Sequence, residues 1–306
     1  NTLSFGALTS NNVTLSDKYN LHLVSSTSEI PHIKDRQKST QLSSVVYGGI
    51  KYDADPDSLI AESRGYDKTN LLASTDRGFS PDGSDRSGWA FLPGTLAESE
   101  SISHRVTNEG ITCRLITGVA ANEESFKALT GNSPSLLHVA THGFFLSSKQ
   151  EVETNDFLKT VNLHIPSSQQ IMNRTGLLFA GANRAWTGKD IIDGIEDGIL
   201  TANEISNLNL SSTDLVVLSA CETGLGENLA SEGVFGLQRA FKLAGVKTII
   251  MSLWKVPDAE TSQLMKLFYD NWLNGMEIYE AFRKAQLAIK AEKPNPYFWA
   301  GFVILD

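Results

Sequence analysis

The sequence predicts an α/β fold, a mostly parallel sheet covered by helices on both faces, and three observations carry that prediction. In the stretch DLVVLSACE, from Asp214 to Glu222, residues Leu215 to Leu218 form an unbroken apolar run of strand length. A run of this kind suits a parallel strand buried on both faces. Leu136 to Gly143, LLHVATHG, has the same grammar: an apolar strand that runs into small residues and ends at His142 and Gly143. Between the later strands, EGVFGLQRAFKLA places apolar residues at 234, 237, 241 and 244, a helical stripe. Strands alternating with helices imply βαβ units.

The elements follow in order. Residues 1 to 43 are polar and irregular, with one strand candidate at Tyr19 to Ser25, and are expected to form an extension packed on the core; His22 and His32 fall here as surface or satisfied side chains. The main domain is expected over 44 to 306, opening with a strand at Ser44 to Tyr52. Residues 54 to 91, rich in Asp, Ser and Gly without a clear period, predict a mobile insertion. A helix starts after Pro93, with Thr95 and Glu98 at capping-box spacing, and stops at Gly110. Ile111 to Thr117 predicts a strand, Asn122 to Leu129 a short helix, and Ser135 to Thr141 the strand that delivers His142. A second insertion spans about 144 to 186 and contains the hydrophobic piece Thr175 to Ala182. The stretch DGIEDGILTANE, Asp193 to Glu204, carries acids among its turns but lacks the register of a calcium loop. A short helix is expected over Thr201 to Leu208. Beyond the Leu215 strand come a helix over Glu232 to Ala244, a strand over Lys247 to Trp254, helices over about 259 to 273 and 277 to 291, and a closing strand over Phe298 to Leu305. No internal repeat is present.

Composition narrows the function. With 306 residues, 41% hydrophobic and 20% charged, the chain can bury a sizeable core. A net charge of −9 and a pI near 5.2 argue against nucleic acid or an anionic membrane as partner. No apolar run approaches the ~20 residues that a membrane span needs. The two cysteines, Cys113 and Cys221, make no disulfide framework and fit a reducing, cytoplasmic setting. The opening Asn1-Thr2-Leu3, without a signal peptide, reads as part of something longer. Cys113 sits in the alternating run ITCRLITG and reads as a buried, inert thiol.

Cys221 reads differently. It stands where a buried strand ends, and Glu222, Thr223, Gly224 and Gly226 after it force a turn. Ligands of open α/β sheets sit outside the carboxyl ends of the strands. Two adjacent strands delivering His142 and Cys221 to one sheet edge would form a thiolate–imidazole pair. The backbone N–H groups of Gly143 and Cys221 would then face a developing oxyanion. Rival chemistries fit less well. His138 and His142 would chelate zinc on a helix, but four residues of strand span roughly 13 Å, and no glutamate stands between them. Gly224 and Gly226 precede Leu229 where a dinucleotide fingerprint has glycine, and no serine elbow occurs. Taken singly, either residue suits a structural role; the matched contexts favour the pair. No cofactor and no metal is expected.

The blocks LLHVATHGFF, EDGILTANEI, LVVLSACETGLGE, EGVFGLQRAFKLAGVKTIIMSLWKVPD and YFWAGFVILD resemble, in order, the CHAT domain family. These are caspase-like cysteine peptidases related to separase, usually found C-terminal to tetratricopeptide repeats. The resemblance is detailed over about 92 to 306. It implies a caspase-like three-layer α/β sandwich with a mostly parallel central sheet of about six strands and helices on both faces. It also implies His142 as catalytic histidine, Cys221 as nucleophile and Gly143 in the oxyanion hole. The strand ending at Trp254 would border the substrate cleft and pair with an extended peptide. Asp258 would floor the first specificity pocket, with Glu196 and Asp197 as further cleft acids favouring a basic side chain. The expected function is that of an endopeptidase for a specific protein or peptide substrate, regulated by a tetratricopeptide-repeat region or partner protein. The alternatives are a catalytically silent interaction module and an amidase or transpeptidase built on the same dyad.

Overall fold

A computed structural model of the chain describes residues 4–11, 13–24, 42–66, 87–146, 168–189, 191–219 and 230–306. A short hairpin, β1 (Thr9–Ser10) and β2 (Val13–Thr14), leads into a helical turn, α1 (Leu15–Lys18). Next come β3 (Ser43–Ile50), α2 (Pro56–Ser63), α3 (Pro93–Asn108), β4 (Thr112–Gly118), α4 (Glu123–Lys127) and β5 (Leu136–Val139). The middle of the chain holds β6 (Gly143–Phe145), α5 (Ser168–Asn173), β7 (Thr175–Leu178), α6 (Ala182–Trp186), β8 (Ile199–Thr201) and α7 (Ala202–Ser206). The last part comprises β9 (Leu215–Leu218), α8 (Ala230–Leu243), β10 (Thr248–Ser252), α9 (Asp258–Leu273), α10 (Ile278–Glu292), α11 (Pro296–Trp299) and β11 (Phe302–Leu305).

The central sheet has six strands in the order β11-β10-β9-β5-β3-β4. All neighbours pair in parallel except β11, which runs antiparallel to β10. Period-two alternation divides the strand residues between two helical layers. Val45, Tyr47, Leu137, Val139, Val216, Leu218, Ile249 and Met251 join a core with Phe126 of α4 and Phe241 of α8. Their neighbours Val46, Leu136, Leu215, Val217 and Ile250 face the other way, onto Ile102 of α3, Phe268 of α9 and Phe282 of α10. The mostly parallel sheet expected from the alternation of strands and helices is observed, as is the three-layer sandwich that the resemblance implied. A second sheet, antiparallel and ordered β6-β7-β8, grows from the carboxyl end of β5.

Several local expectations change. Between Tyr19 and Val24 the described residues form only a bridge, Leu23 with Leu305. The stretch 54–91 contains α2: Asp55 caps it by accepting the Ser58 N–H, and Pro56 supplies a preset first turn. At α3 the capping box does not form. Leu92 is the N-cap, and the Thr95 hydroxyl accepts the Gly49 N–H, tying the helix to β3. Residues 296–299 coil into α11, capped by Asn295, so the final strand starts at Phe302. The α7 start does carry a capping box, with Thr201 Oγ1 accepting the Glu204 N–H and Glu204 accepting the Thr201 N–H. Among the described residues no helix is long and apolar enough to cross a membrane.

Candidate active site

The end of β5 positions His142. Val139 pairs with Tyr47 of β3 and Leu218 of β9, and the two flanking bonds, Ala140 N–H to Tyr47 and Ser219 N–H to Val139, carry the ladder past the strand. The chain therefore leaves β5 towards His142 and leaves β9 towards Cys221 at the same edge of the sheet. Cys221 itself lies outside the described residues, as do residues 222–229, where a turn was expected.

Polar side chains shape the turn between β5 and β6. The Thr141 hydroxyl donates to the Leu178 carbonyl, and Tyr52 lies 2.9 Å from Thr141 Oγ1. With its single proton used on Leu178, Thr141 must accept from Tyr52. The Tyr52 oxygen in turn accepts the His142 backbone N–H at 3.2 Å. Burial pushes the Tyr52 phenol up to about 12, so it stays protonated and able to play both parts.

The His142 imidazole is buried, with Trp89 and Tyr52 rings 4.8 and 5.0 Å away. Its Nε2 stands 2.9 Å from the carbonyl oxygen of Ala90. A carbonyl only accepts, so Nε2 carries the proton and a neutral ring keeps its lone pair on Nδ1. Burial pulls the imidazole below its ordinary 6.5; the Ala90 bond and Asp258 oppose that shift, and Lys255 adds to it. Burial thus favours the neutral form of the ring. Gly143 opens β6 opposite Leu177, and the adjoining bond runs from Leu178 N–H to the His142 carbonyl. That register makes 143–177 a non-hydrogen-bonded pair, which turns the Gly143 N–H away from β7, towards the outer edge of the small sheet.

The remaining candidate residues divide. Asp258 opens α9 and is exposed; a Cβ on Gly94, in the first turn of α3, would sit 3.7 Å from its Oδ2. Its charge and that of Lys255 reach His142. Trp254 is half-buried and donates its indole N–H to the Tyr297 carbonyl at 3.0 Å, bracing α11. The expected pairing of a peptide with the preceding strand does not hold for β10. Both its edges are taken, by β9 and β11, and the Leu253 N–H extends the ladder to Gly301.

Glu196 and Asp197 face a different partner. Glu196 Oε2 lies 3.1 Å from Lys127 Nζ, its N–H donates to Glu124, and Asp197 Oδ1 accepts the Ile199 N–H. The carboxylates of Glu123, Glu196 and Glu204 converge, and Lys127 sits among them at 2.6, 3.1 and 3.0 Å. Burial works against the Lys127 charge, but Glu123, Glu204 and Glu196 outweigh it and hold the ammonium well above its usual range. Burial raises Glu123 well above the carboxylate range and Asp197 to about 6. The cluster staples the turn before β8 to α4.

His138 belongs to the opposite helical layer. It is fully buried, with Nδ1 3.1 Å from the Tyr269 hydroxyl and Nε2 3.2 Å from Glu98 Oε1. Cys113, expected buried, is half-buried on β4, its thiol 3.3 Å from Ser103 Oγ. The groups that sequence reasoning missed are Tyr52, the Ala90 carbonyl, Trp89 and Asn183. Nothing local marks a backbone carbonyl in an aperiodic stretch as the partner of a histidine far along the chain.

Comparison with known proteins assigns the chain to a family. Human tetratricopeptide repeat protein 28 is 29% identical over 230 residues, 71% of this chain and 9% of that protein. The mouse protein of the same name is 33% identical over 109 residues, 35% of this chain and 4% of its own length. The chain thus spans less than a tenth of these curated relatives. Among solved structures, the Arg-specific cysteine proteinase gingipain R aligns with a TM-score of 0.41 and 10% identity, over 92% of this chain and 67% of its own. The complex of the Porphyromonas gingivalis RgpB pro- and mature domains aligns at 0.40 and 11%, over 92% and 68%. Likenesses this distant do not bear on activity. The model of the CHAT domain, by contrast, matches residues 1–305, so that every element described above falls within it, and the chain belongs to the CHAT domain family.

Proposed function

We propose that the protein is a cysteine endopeptidase working through a dyad of His142 and Cys221. The observation that carries this reading is the state of His142: buried, neutral, and fixed through Nε2 so that Nδ1 is the base. In the proposed reaction Nδ1 takes the Cys221 thiol proton and the thiolate attacks the substrate carbonyl. The N–H groups of Gly143 and Cys221 receive the oxyanion. The imidazolium then returns the proton to the leaving amine, and water releases the acyl group. The Ala90 carbonyl does the orienting that a carboxylate does in a triad, so no acidic third member is required. Asp258, near enough to act on the His142 charge, is the acid we assign to a pocket for a basic side chain. Glu196 and Asp197, engaged with Lys127 and local backbone, suit a structural role better. The tetratricopeptide-repeat relatives support regulation by such a region outside this chain.

The test is labelling with a peptide-based thiol-reactive probe. Wild type should be labelled at Cys221, His142→Ala should be labelled more slowly by at least about tenfold, and Cys221→Ala not at all. Folded wild-type protein that resists the probe would favour a silent interaction module instead.

A further inference from the structure

A histidine base is only as good as the group that fixes its tautomer, and Ala90 lies in a stretch with little secondary structure. Between residues 87 and 91 the hydrogen bonds made among the described residues are few. Trp89 exchanges two with Asn183, and Ala90 receives one from His142. We infer that Asn183 is a positioning residue for His142, clamping the Trp89 backbone so that the next carbonyl, that of Ala90, stays aimed at the imidazole Nε2.

The geometry of the clamp is that of a strand pair made by one side chain. The Trp89 N–H donates to Asn183 Oδ1 at 2.6 Å, and Asn183 Nδ2 donates to the Trp89 carbonyl at 2.9 Å. A carboxamide can serve one residue's donor and acceptor together because it presents both in one plane. Asn183 is buried, 3% exposed, and its own backbone is held. Its N–H donates to the Tyr52 carbonyl at 3.2 Å, and its carbonyl accepts the Thr187 N–H at 3.0 Å. The local sequence leaves room for the amide: a Cβ on Gly88 would stand 3.0 Å from Nδ2 and 3.1 Å from Cγ. Trp89 is also wedged between rings, 5.0 Å from Trp186 of α6 and 4.8 Å from His142.

Asn183 therefore reaches His142 by two routes. Its side chain acts through Trp89 and Ala90 on the imidazole, and its backbone acts through Tyr52, whose hydroxyl takes the His142 N–H. The first route bears on chemistry. With the Ala90 carbonyl displaced, nothing on this side dictates which nitrogen is protonated, and the ring would divide between tautomers, one of which presents an N–H to the thiol. Removing the amide should leave the fold in place and spoil the base.

This inference rests on the proposed role of His142 as base, so its test uses two independent readouts. Protein labelled with 15N-histidine reports the tautomer of each of its six histidines, His142 being assigned from the His142→Ala spectrum. The alkylation rate of Cys221 as a function of pH reports the base. Wild type should show His142 protonated on Nε2 at pH 8. Asn183→Ala should show mixed tautomers and alkylation slowed by roughly ten- to a hundredfold. Asn183→Asp, the isostere that keeps the acceptor but loses the donor, should fall between. If Asn183→Ala does not fold, Gly88→Ala crowds the same amide from the solvent side and should show the same mixing. A wild-type tautomer and pH profile in a folded Asn183 or Gly88 variant would overturn the inference. If wild-type Cys221 resists alkylation while Asn183→Ala still mixes the tautomers, the positioning role stands and the peptidase reading fails.

Discussion

At the scale of single residues, the charge state of His142 is set by opposing influences whose signs differ. Burial lowers the imidazole below 6.5, the bond to Ala90 raises it, Lys255 lowers it and Asp258 raises it. Removing a positive neighbour makes protonation easier, and removing a negative one makes it harder. An NMR titration of His142 should therefore find its midpoint below 6.5, moved up in Lys255→Ala and down in Asp258→Ala. Shifts in the reverse order, or none, would take both charges away from the site. The Asp258 variant also tests the specificity pocket, since losing that carboxylate should weaken a preference for basic over apolar peptides. His142 could be read from its place at the end of an apolar run. Its tautomer could not, because the acceptor that decides it is 52 residues earlier and belongs to a main chain that carries no residue-type signal.

At the scale of elements, two close approaches decide how the site is framed. The first is the approach of α3 to β3. A Cβ at Gly48 would meet the Thr95 carbonyl and the Ser99 side chain, and the next residue, Gly49, has φ of 58° and donates its N–H to Thr95. Gly48→Ala should cost about 1–3 kcal/mol in urea unfolding, the penalty for forcing extra volume into a packed contact. A change within ~0.5 kcal/mol would mean that α3 can shift freely.

The second is the turn before β8, where Asp197 is raised from the ordinary 3.8 to about 6, chiefly by burial. A carboxyl raised on folding favours the folded state while protonated, and that stability is lost as pH climbs from about 4 through 6. Asp197→Asn keeps the acceptor for the Ile199 N–H and removes the charge. It should be more stable than wild type at pH 8 by roughly 1–3 kcal/mol and equal to it near pH 4. An equal effect at both pH values would show that the charge is not the cause. The four acids of this stretch were visible in the sequence; the Lys127 that gathers three carboxylates around it was not, since it sits on α4, 77 residues before Glu204.

At the scale of the whole molecule, the first described residues hook onto the last helical layer. Arg283 of α10 donates to the carbonyls of Ser16 and Asp17 at 2.7 and 2.9 Å, and Lys290 pairs with Asp17 at 2.5 Å. Lys290 and the Thr14 N–H hold the Asp17 carboxyl down to about 2. Arg283→Ala should speed hydrogen exchange of the amides in 13–18 while leaving the His142 resonances where they are. Exchange unchanged in that stretch would show that the hook is held by other contacts. The hook lies with the α9–α10 layer, whereas His142 stands at the carboxyl ends of the central strands, which is why the two should respond independently.

What the sequence by itself determined is the set of features that repeat over a few residues. Apolar runs mark β5, β9 and β10, and the stripe at 234, 237, 241 and 244 marks α8, because burial on a regular backbone imposes its own spacing. The same locality explains why His142 stood out at the end of such a run. Tertiary structure alone decided which groups meet: Ala90 with His142, Asn183 with Trp89, Lys127 with Glu196 and Glu204, and β11 closing the far edge of β10. These contacts exist only once the chain has folded; Asn183 and Trp89 are 94 residues apart. A hydrogen bond over that distance depends on the path of everything between its partners, and no short window of sequence carries that information.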